Sequence, residues 1–228
     1  MVILSFSNGI LSLGETLKQN YTHIAAVLDR SGSMRSIIDK TLEGFNGFVA
    51  EQQRVPGDAT LSLVIFDDRY ETVHDFVNLQ EVPILTKATF YPRGWTAQYD
   101  AMAKTIISTG ERLAALPESE RPSKVIVLVM TDGQENASKE FPGESGRLAL
   151  KAMIEEQTKV YSWEFVFMGA NIDAQATAAS LGFKGTNVAQ YAATNAGTLG
   201  AFESMSRGLT SSRTQKGYNG DFFGSDRK

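Results

Sequence analysis

Three short strings in this sequence carry residue types that could do chemistry. The first is Asp29-Arg30-Ser31-Gly32-Ser33-Met34, which follows the apolar run Ala25 to Leu28. Asp29, Ser31 and Ser33 stand at alternate positions of a tight turn, so their side-chain oxygens can converge. One carboxylate and two hydroxyls form a hard oxygen set, suited to Mg2+ or Mn2+ rather than zinc. The same residues also fit a plain helix start, with Ser31 or Ser33 as N-cap and Asp29 solvated. The second string, Gly94 to Ala101, sets Thr96 just after a glycine. The third, Val125 to Ser138, is again an apolar run that stops at an acid and a glycine, Asp132-Gly133. Ligands of open α/β sheets bind at the carboxyl ends of strands, which is where all three strings would lie.

In combination, D-x-S-G-S-M, the Gly-flanked Thr and T-D-G-x-E-N-A-S resemble the metal-ion-dependent adhesion site of the von Willebrand factor type A (vWA) domain. The resemblance spans roughly Thr22 to Ser212. It implies that Asp29, Ser31, Ser33, Thr96 and Asp132 surround one divalent ion. In that family the two Ser and the Thr offer neutral oxygens, directly or through water, while the two Asp partly hold waters and hydroxyls. The implied ion is Mg2+, with Mn2+ or Ca2+ as substitutes. Few anionic ligands leave such an ion short of charge, so a partner protein's Asp or Glu is favoured at its exchangeable position.

The implied activity is a protein–protein interaction module rather than an enzyme. A second reading is an adaptor subunit for a separate AAA+ ATPase of the MoxR or chelatase kind, since no ATPase motif occurs here. A metal-dependent phosphatase fits less well. Haloacid-dehalogenase-type enzymes need an acid two residues after the nucleophile, where Ser31 stands. Gly169-Ala170-Asn171-Ile172-Asp173 resembles a string of single-domain bacterial and phage vWA proteins. It lacks the glycine pattern of a nucleotide-binding loop.

Residues beside the site leave more than one reading open. Arg30 either senses the partner's second oxygen or is a solvated rim residue. Glu135, Asn136 and Ser138 either orient site waters or bond within their loop. Asp100 is accounted for by the helix dipole. Phe90, Tyr91, Arg93 and Trp95 have the composition of an interface rim, and equally of core cover. Asp67 and Asp68 read as turn acids. His23 reads as a strand-start residue.

These strings need strands that end together and helices that begin there. Hydrophobic periodicity predicts strands at 23–29, 61–66, 72–77, 125–130, 162–168 and 188–192. Helices are predicted at 34–53, 98–116, 147–159, 173–181 and 196–209. The segment 61–77 reads as a hairpin around Asp67 to Tyr70. The order defines an α/β fold: a doubly wound, mostly parallel sheet with one antiparallel edge strand and helices on both faces, Rossmann-like.

The 228 residues divide into an N-terminal extension (1–21), the vWA domain (22–212) and a C-terminal tail (213–228). The absence of cysteine excludes disulfides and thiolate chemistry, and two histidines exclude a His-rich metal centre. A net charge of -4 without a basic block argues against nucleic acid. No apolar run reaches membrane-spanning length, and Met1 to Leu13 lacks a basic lead before its apolar part. A cytoplasmic location is therefore expected. The tail holds Tyr218, Phe222 and Phe223 among glycines. Exposed aromatic pairs are a liability, so they should dock, either on the parent domain or in trans on a second copy. In the second case Asp221 or Asp226 would offer a carboxylate to a neighbour's metal.

Overall fold

Strand β1, Lys18–Asp29, carries the apolar run, and its side chains alternate between two cores. Ile24, Ala26 and Leu28 face one side, Ala25 and Val27 the other, as the two-residue period of a strand requires. The computed structural model describes residues 17–214 and 218–224. The remaining elements are α1 (Ile38–Gln52), β2 (Asp58–Phe66), β3 (Tyr70–Asn78), α2 (Gln98–Ala114) and β4 (Pro122–Thr131). They continue with α3 (Gly143–Tyr161), β5 (Glu164–Gly169), α4 (Ala174–Ser180), β6 (Val188–Gln190) and α5 (Asn195–Thr214). The sheet order is β3-β2-β1-β4-β5-β6, parallel except for β3 at the edge. Helices α1 and α5 supply Phe45, Phe48, Phe202 and Met205 to one core. Helices α2, α3 and α4 supply Met102, Ile106, Leu150, Ile154 and Ala178 to the other. Chain order thus reverses between β1 and β4, which makes their carboxyl ends the switch point of the sheet.

The expected element order is the observed one, and differences lie at the ends. β1 begins at Lys18 rather than His23, because polar Lys18 to Tyr21 still pairs: the Lys18 amide donates to the Arg121 carbonyl at 2.9 Å. The helix expected over 34–53 begins as a 3-10 turn at Gly32–Ser36 and becomes α-helical only at Ile38. Helix α5 runs past Leu209 to Thr214. Its end is held by Arg213, which donates to the Gln52 carbonyl at 2.7 Å and to the Gly57 carbonyl at 3.2 Å.

The tail docks in cis. Phe222 and Phe223 are buried, stand edge to face at 5.1 Å, and join the α1/α5 core. Gly208 makes room, since a Cβ there would collide with the Phe222 ring. The Tyr218 hydroxyl donates to Glu164 at 2.7 Å. Of the two dockings expected for the pair, this is the one on the parent domain. Asp226 and Met1 to Leu13 lie outside the described residues.

His23 stands within β1, not at its mouth. It is fully buried, stacks on Phe76 with centroids 3.7 Å apart, and bonds Thr60 through Nδ1 at 3.0 Å. Burial, helped by the Arg112 charge, lowers its pKa to about 3. The folded state therefore refuses a proton that the unfolded chain accepts near its ordinary value. Stability from this group is full above that value and is lost as pH falls toward 3. From about pH 7.5 to about pH 5, wild type should lose about 2 kcal/mol more than His23→Phe. Urea midpoints at the two pH values measure this, and equal losses would refute it.

Candidate metal centre

The three strings meet at the switch point. Asp29 ends β1 with no exposed surface. Its Oδ1 accepts the Ser31 amide at 2.6 Å and its Oδ2 the Thr131 hydroxyl at 2.6 Å. Neither Ser31 nor Asp29 behaves as the N-cap reading requires: Asp29 is unsolvated, and Ser31 makes no capping bond through its side chain. The Ser33 hydroxyl instead donates across to Asp132 Oδ1 at 2.6 Å. It is therefore the acceptor in its 3.0 Å contact with the Ser31 hydroxyl. Thr96 is buried. A Cβ added at Gly133 would stand 3.4 Å from Thr96 Oγ1 and 3.8 Å from Ser33 Oγ, so both hydroxyls face the same small space.

The loops hold one another. Asn136 Oδ1 accepts the Thr96 amide at 2.8 Å, and the Asn136 amide donates to the Thr96 carbonyl at 3.0 Å. Helix α2 has no N-cap side chain of its own. Glu135 accepts the Tyr99 amide at 2.9 Å and Ser138 Oγ the Asp100 amide at 3.1 Å, so the third loop caps the helix that follows the second. Asp100 returns the clamp by accepting the amides of Lys139 at 2.8 Å and Phe141 at 2.8 Å. Its role is thus a loop anchor, beyond the dipole effect expected of it. Gly94, at φ +66°, lies where a Cβ would strike the Asp68 carboxylate, so the turn before Thr96 needs glycine.

Arg30 is neither a rim residue nor a partner sensor: it has no exposed surface. Its Nε donates to Asp67 Oδ2 at 2.9 Å, and its Nη2 lies 2.7 Å from Glu71 Oε2. Arg93 Nε reaches the same Asp67 oxygen at 2.7 Å. Burial pulls the Asp67 carboxyl upward, but the hydrogen bond from Arg93 and the charge of Arg30 outweigh it and hold it below the ordinary range. Asp67 is therefore more than a turn acid. It ties the first string to the hairpin and, through its carbonyl accepting the Ala97 amide at 2.8 Å, to the second. Of the aromatic and Arg residues ahead of Thr96, Phe90 is core, Arg93 joins this network, and Tyr91 and Trp95 are 44% and 69% exposed.

Burial pushes the Asp29 carboxyl up to about 6, against hydrogen bonds from Thr131 and Ser31, with the Asp132 charge adding to the rise. Burial likewise raises Asp132, opposed by the Ser33 bond. Neither carboxylate forms an ion pair with a basic side chain of the described residues. No group of three or more His, Cys, Asp or Glu among those residues is arranged so that it could hold a metal ion. The donor set is two carboxylates and three hydroxyls, which fits a hard cation that keeps some of its water. Asn171, at φ 55°, steadies the third loop by donating to the Asp132 carbonyl at 3.2 Å. Sequence reading passed over Tyr191, whose buried hydroxyl lacks a partner at this same edge.

No protein-family model matches the sequence, and no curated protein matches it. Solved structures do match. One is the proximal thread matrix protein 1 of the mussel byssus, with a zinc-occupied MIDAS motif (the metal-ion-dependent adhesion site). It is 16% identical over 83% of this chain and 46% of that one, with a TM-score of 0.55. Another is the vWF domain of the type V pili tip protein Mfa5 from Porphyromonas gingivalis. It is 11% identical over 85% of this chain and 95% of that one, with a TM-score of 0.54. A von Willebrand factor type A structure from Catenulispora acidiphila is 14% identical over 84% and 42% of the two chains, with a TM-score of 0.53. The chain thus spans less than half the length of the mussel and Catenulispora proteins. The fold is the von Willebrand factor type A fold. No helix among the described residues is long and apolar enough to cross a membrane.

Proposed function

We propose that this chain is a divalent-cation-dependent protein-binding module that captures a carboxylate of its partner. The observation that carries the reading is the gathering of Ser31, Ser33 and Asp132 oxygens within hydrogen-bond distance, beside Thr96 and Asp29, at the mouth of the sheet. Asp29, Ser31, Ser33, Thr96 and Asp132 would hold Mg2+, with Mn2+ or Ca2+ as substitutes. A bound ion would supply a Lewis-acidic point for an Asp or Glu of the partner. The protein's own residues do the rest. Asp29 fixes the first turn through the Ser31 amide, Asp132 orients Ser33, and Asn136 fixes the Thr96 backbone. Exposed Trp95 and Tyr91 lie in the segment that leads into Thr96 and would give a partner an aromatic surface. The reading needs no catalytic step, and Ser31 stands where a phosphatase would need its general acid.

The test is titration of the full chain with Mg2+ by calorimetry, followed by capture from a host lysate with Mg2+ or with chelator. Saturable binding of one Mg2+, and proteins retained with Mg2+ but released by chelator, are expected. Heat-silent titration with Mg2+ and Mn2+ alike would refute the reading. A retained AAA+ ATPase would specify the adaptor role.

A further inference from the structure

One buried hydroxyl at the site edge is unexplained by anything above. Tyr191 immediately follows β6 and is only 7% exposed. Its ring belongs to the same apolar cluster as Leu28, Met34 and Met130, the residues that lie just behind the first and third strings. Its amide donates to the Gly169 carbonyl at 3.0 Å, and the Ala170 amide donates to the Thr131 carbonyl at 2.9 Å. A continuous ladder therefore runs from Tyr191 across the end of β5 to Thr131 and Asp132. The Tyr191 Oη is shut off from solvent, yet no hydrogen-bond partner stands beside it.

A phenol hydroxyl left unpaired in a core is costly, and folded proteins rarely keep one. Phenylalanine would fill the same apolar cluster without that cost. The hydroxyl thus needs a reason outside packing. A phenol is protonated at neutral pH, so the hydroxyl is a donor, and the charges that act on it are those of Asp132 and then Asp29. Two carboxylates that feel no basic side chain are the acceptors such a donor would serve. Asp132 Oδ1 already takes the Ser33 hydroxyl, and both Asp29 oxygens are engaged.

We propose that Tyr191 is a positioning residue of the metal centre, its hydroxyl donating through an enclosed water to the Asp29–Asp132 pair and fixing the oxygens that hold the cation. The inference rests on the divalent-cation reading above. Outer-shell donors of this kind orient ligands, and their removal weakens metal binding without touching a ligand.

The experiment compares full-length wild type with Tyr191→Phe. Mg2+ affinity is measured by calorimetry, and the metal-free unfolding midpoint in urea. Expected are a metal-free midpoint unchanged or raised, and Mg2+ binding weakened about 10- to 100-fold. A merely structural tyrosine would move the midpoint and leave the Mg2+ affinity alone. Wild-type affinity in Tyr191→Phe would overturn this proposal while leaving the cation site standing. Loss of the metal-free fold in Tyr191→Phe would make the hydroxyl structural and overturn it too. Absence of Mg2+ and Mn2+ binding in wild type would overturn the cation reading itself, and this inference with it.

Discussion

On the divalent-cation reading, Asp29→Asn should remove Mg2+-dependent partner binding and leave the metal-free fold standing. The substitution keeps the shape of the side chain and an acceptor for the Ser31 amide, so the turn between β1 and the 3-10 segment persists. What it deletes is a desolvated negative charge. Burial already works against that charge, and the neighbouring Asp132 works against it further. Metal-free Asp29→Asn should therefore unfold within a few degrees of wild type. A divalent cation held at the proposed site would depend on that charge, so Mg2+ affinity should fall by about 100-fold or more, beyond the loss of an outer-shell group. Calorimetry gives the affinity, and far-UV circular dichroism with a thermal scan gives the fold. Wild-type Mg2+ affinity in the variant would remove Asp29 from the site. A lost dichroism signal would make it a structural acid.

Asp67→Ala should produce the largest loss of stability of any single substitution around the site. It strands the guanidinium of Arg30, which has no exposed surface and whose Nη1 has no hydrogen-bond partner. It also releases Arg93 and the Arg69 amide, which Asp67 Oδ1 accepts at 2.8 Å. Breaking a buried ion pair from one side costs about 3–5 kcal/mol, because the remaining charge stays buried. Glu71, which is half exposed, compensates Arg30 only weakly. Replacing Arg30 as well, in Asp67→Ala/Arg30→Met, takes the stranded charge away and should recover a good part of the loss. Urea unfolding of the two single variants and the double variant closes the cycle. A loss for Asp67→Ala under about 1 kcal/mol would mean that solvent screens the network as it screens a surface pair.

Both predictions concern residues within a few positions of each other in space, yet only one was legible. Asp29 declares itself in the sequence because an apolar run stops at it and two hydroxyls follow at alternate positions. Those are local features, fixed by the two-residue period of a strand and the geometry of a tight turn. Asp67 and Arg30 declare nothing. Each sits in a polar turn where a solvated charge is the ordinary outcome. That they bury together follows from the hairpin folding over the first loop, a contact 37 residues apart. Likewise Glu135 and Ser138 read as loop residues, and only the approach of the third loop to the start of α2 turns them into caps.

Sequence alone determined the element order, the mixed sheet with its antiparallel edge, and the three strings that converge at the switch point. Apolar periodicity and turn residues act over a few positions, so they are written in the chain itself. The tertiary structure decided the rest. It set the partners of the buried charges, sent the Phe222–Phe223 pair into its own core, and left the Tyr191 hydroxyl unpaired at the sheet edge. These outcomes depend on which surfaces meet when helices and loops close over the sheet. A side chain's burial and partners are properties of that meeting, and no local pattern encodes them.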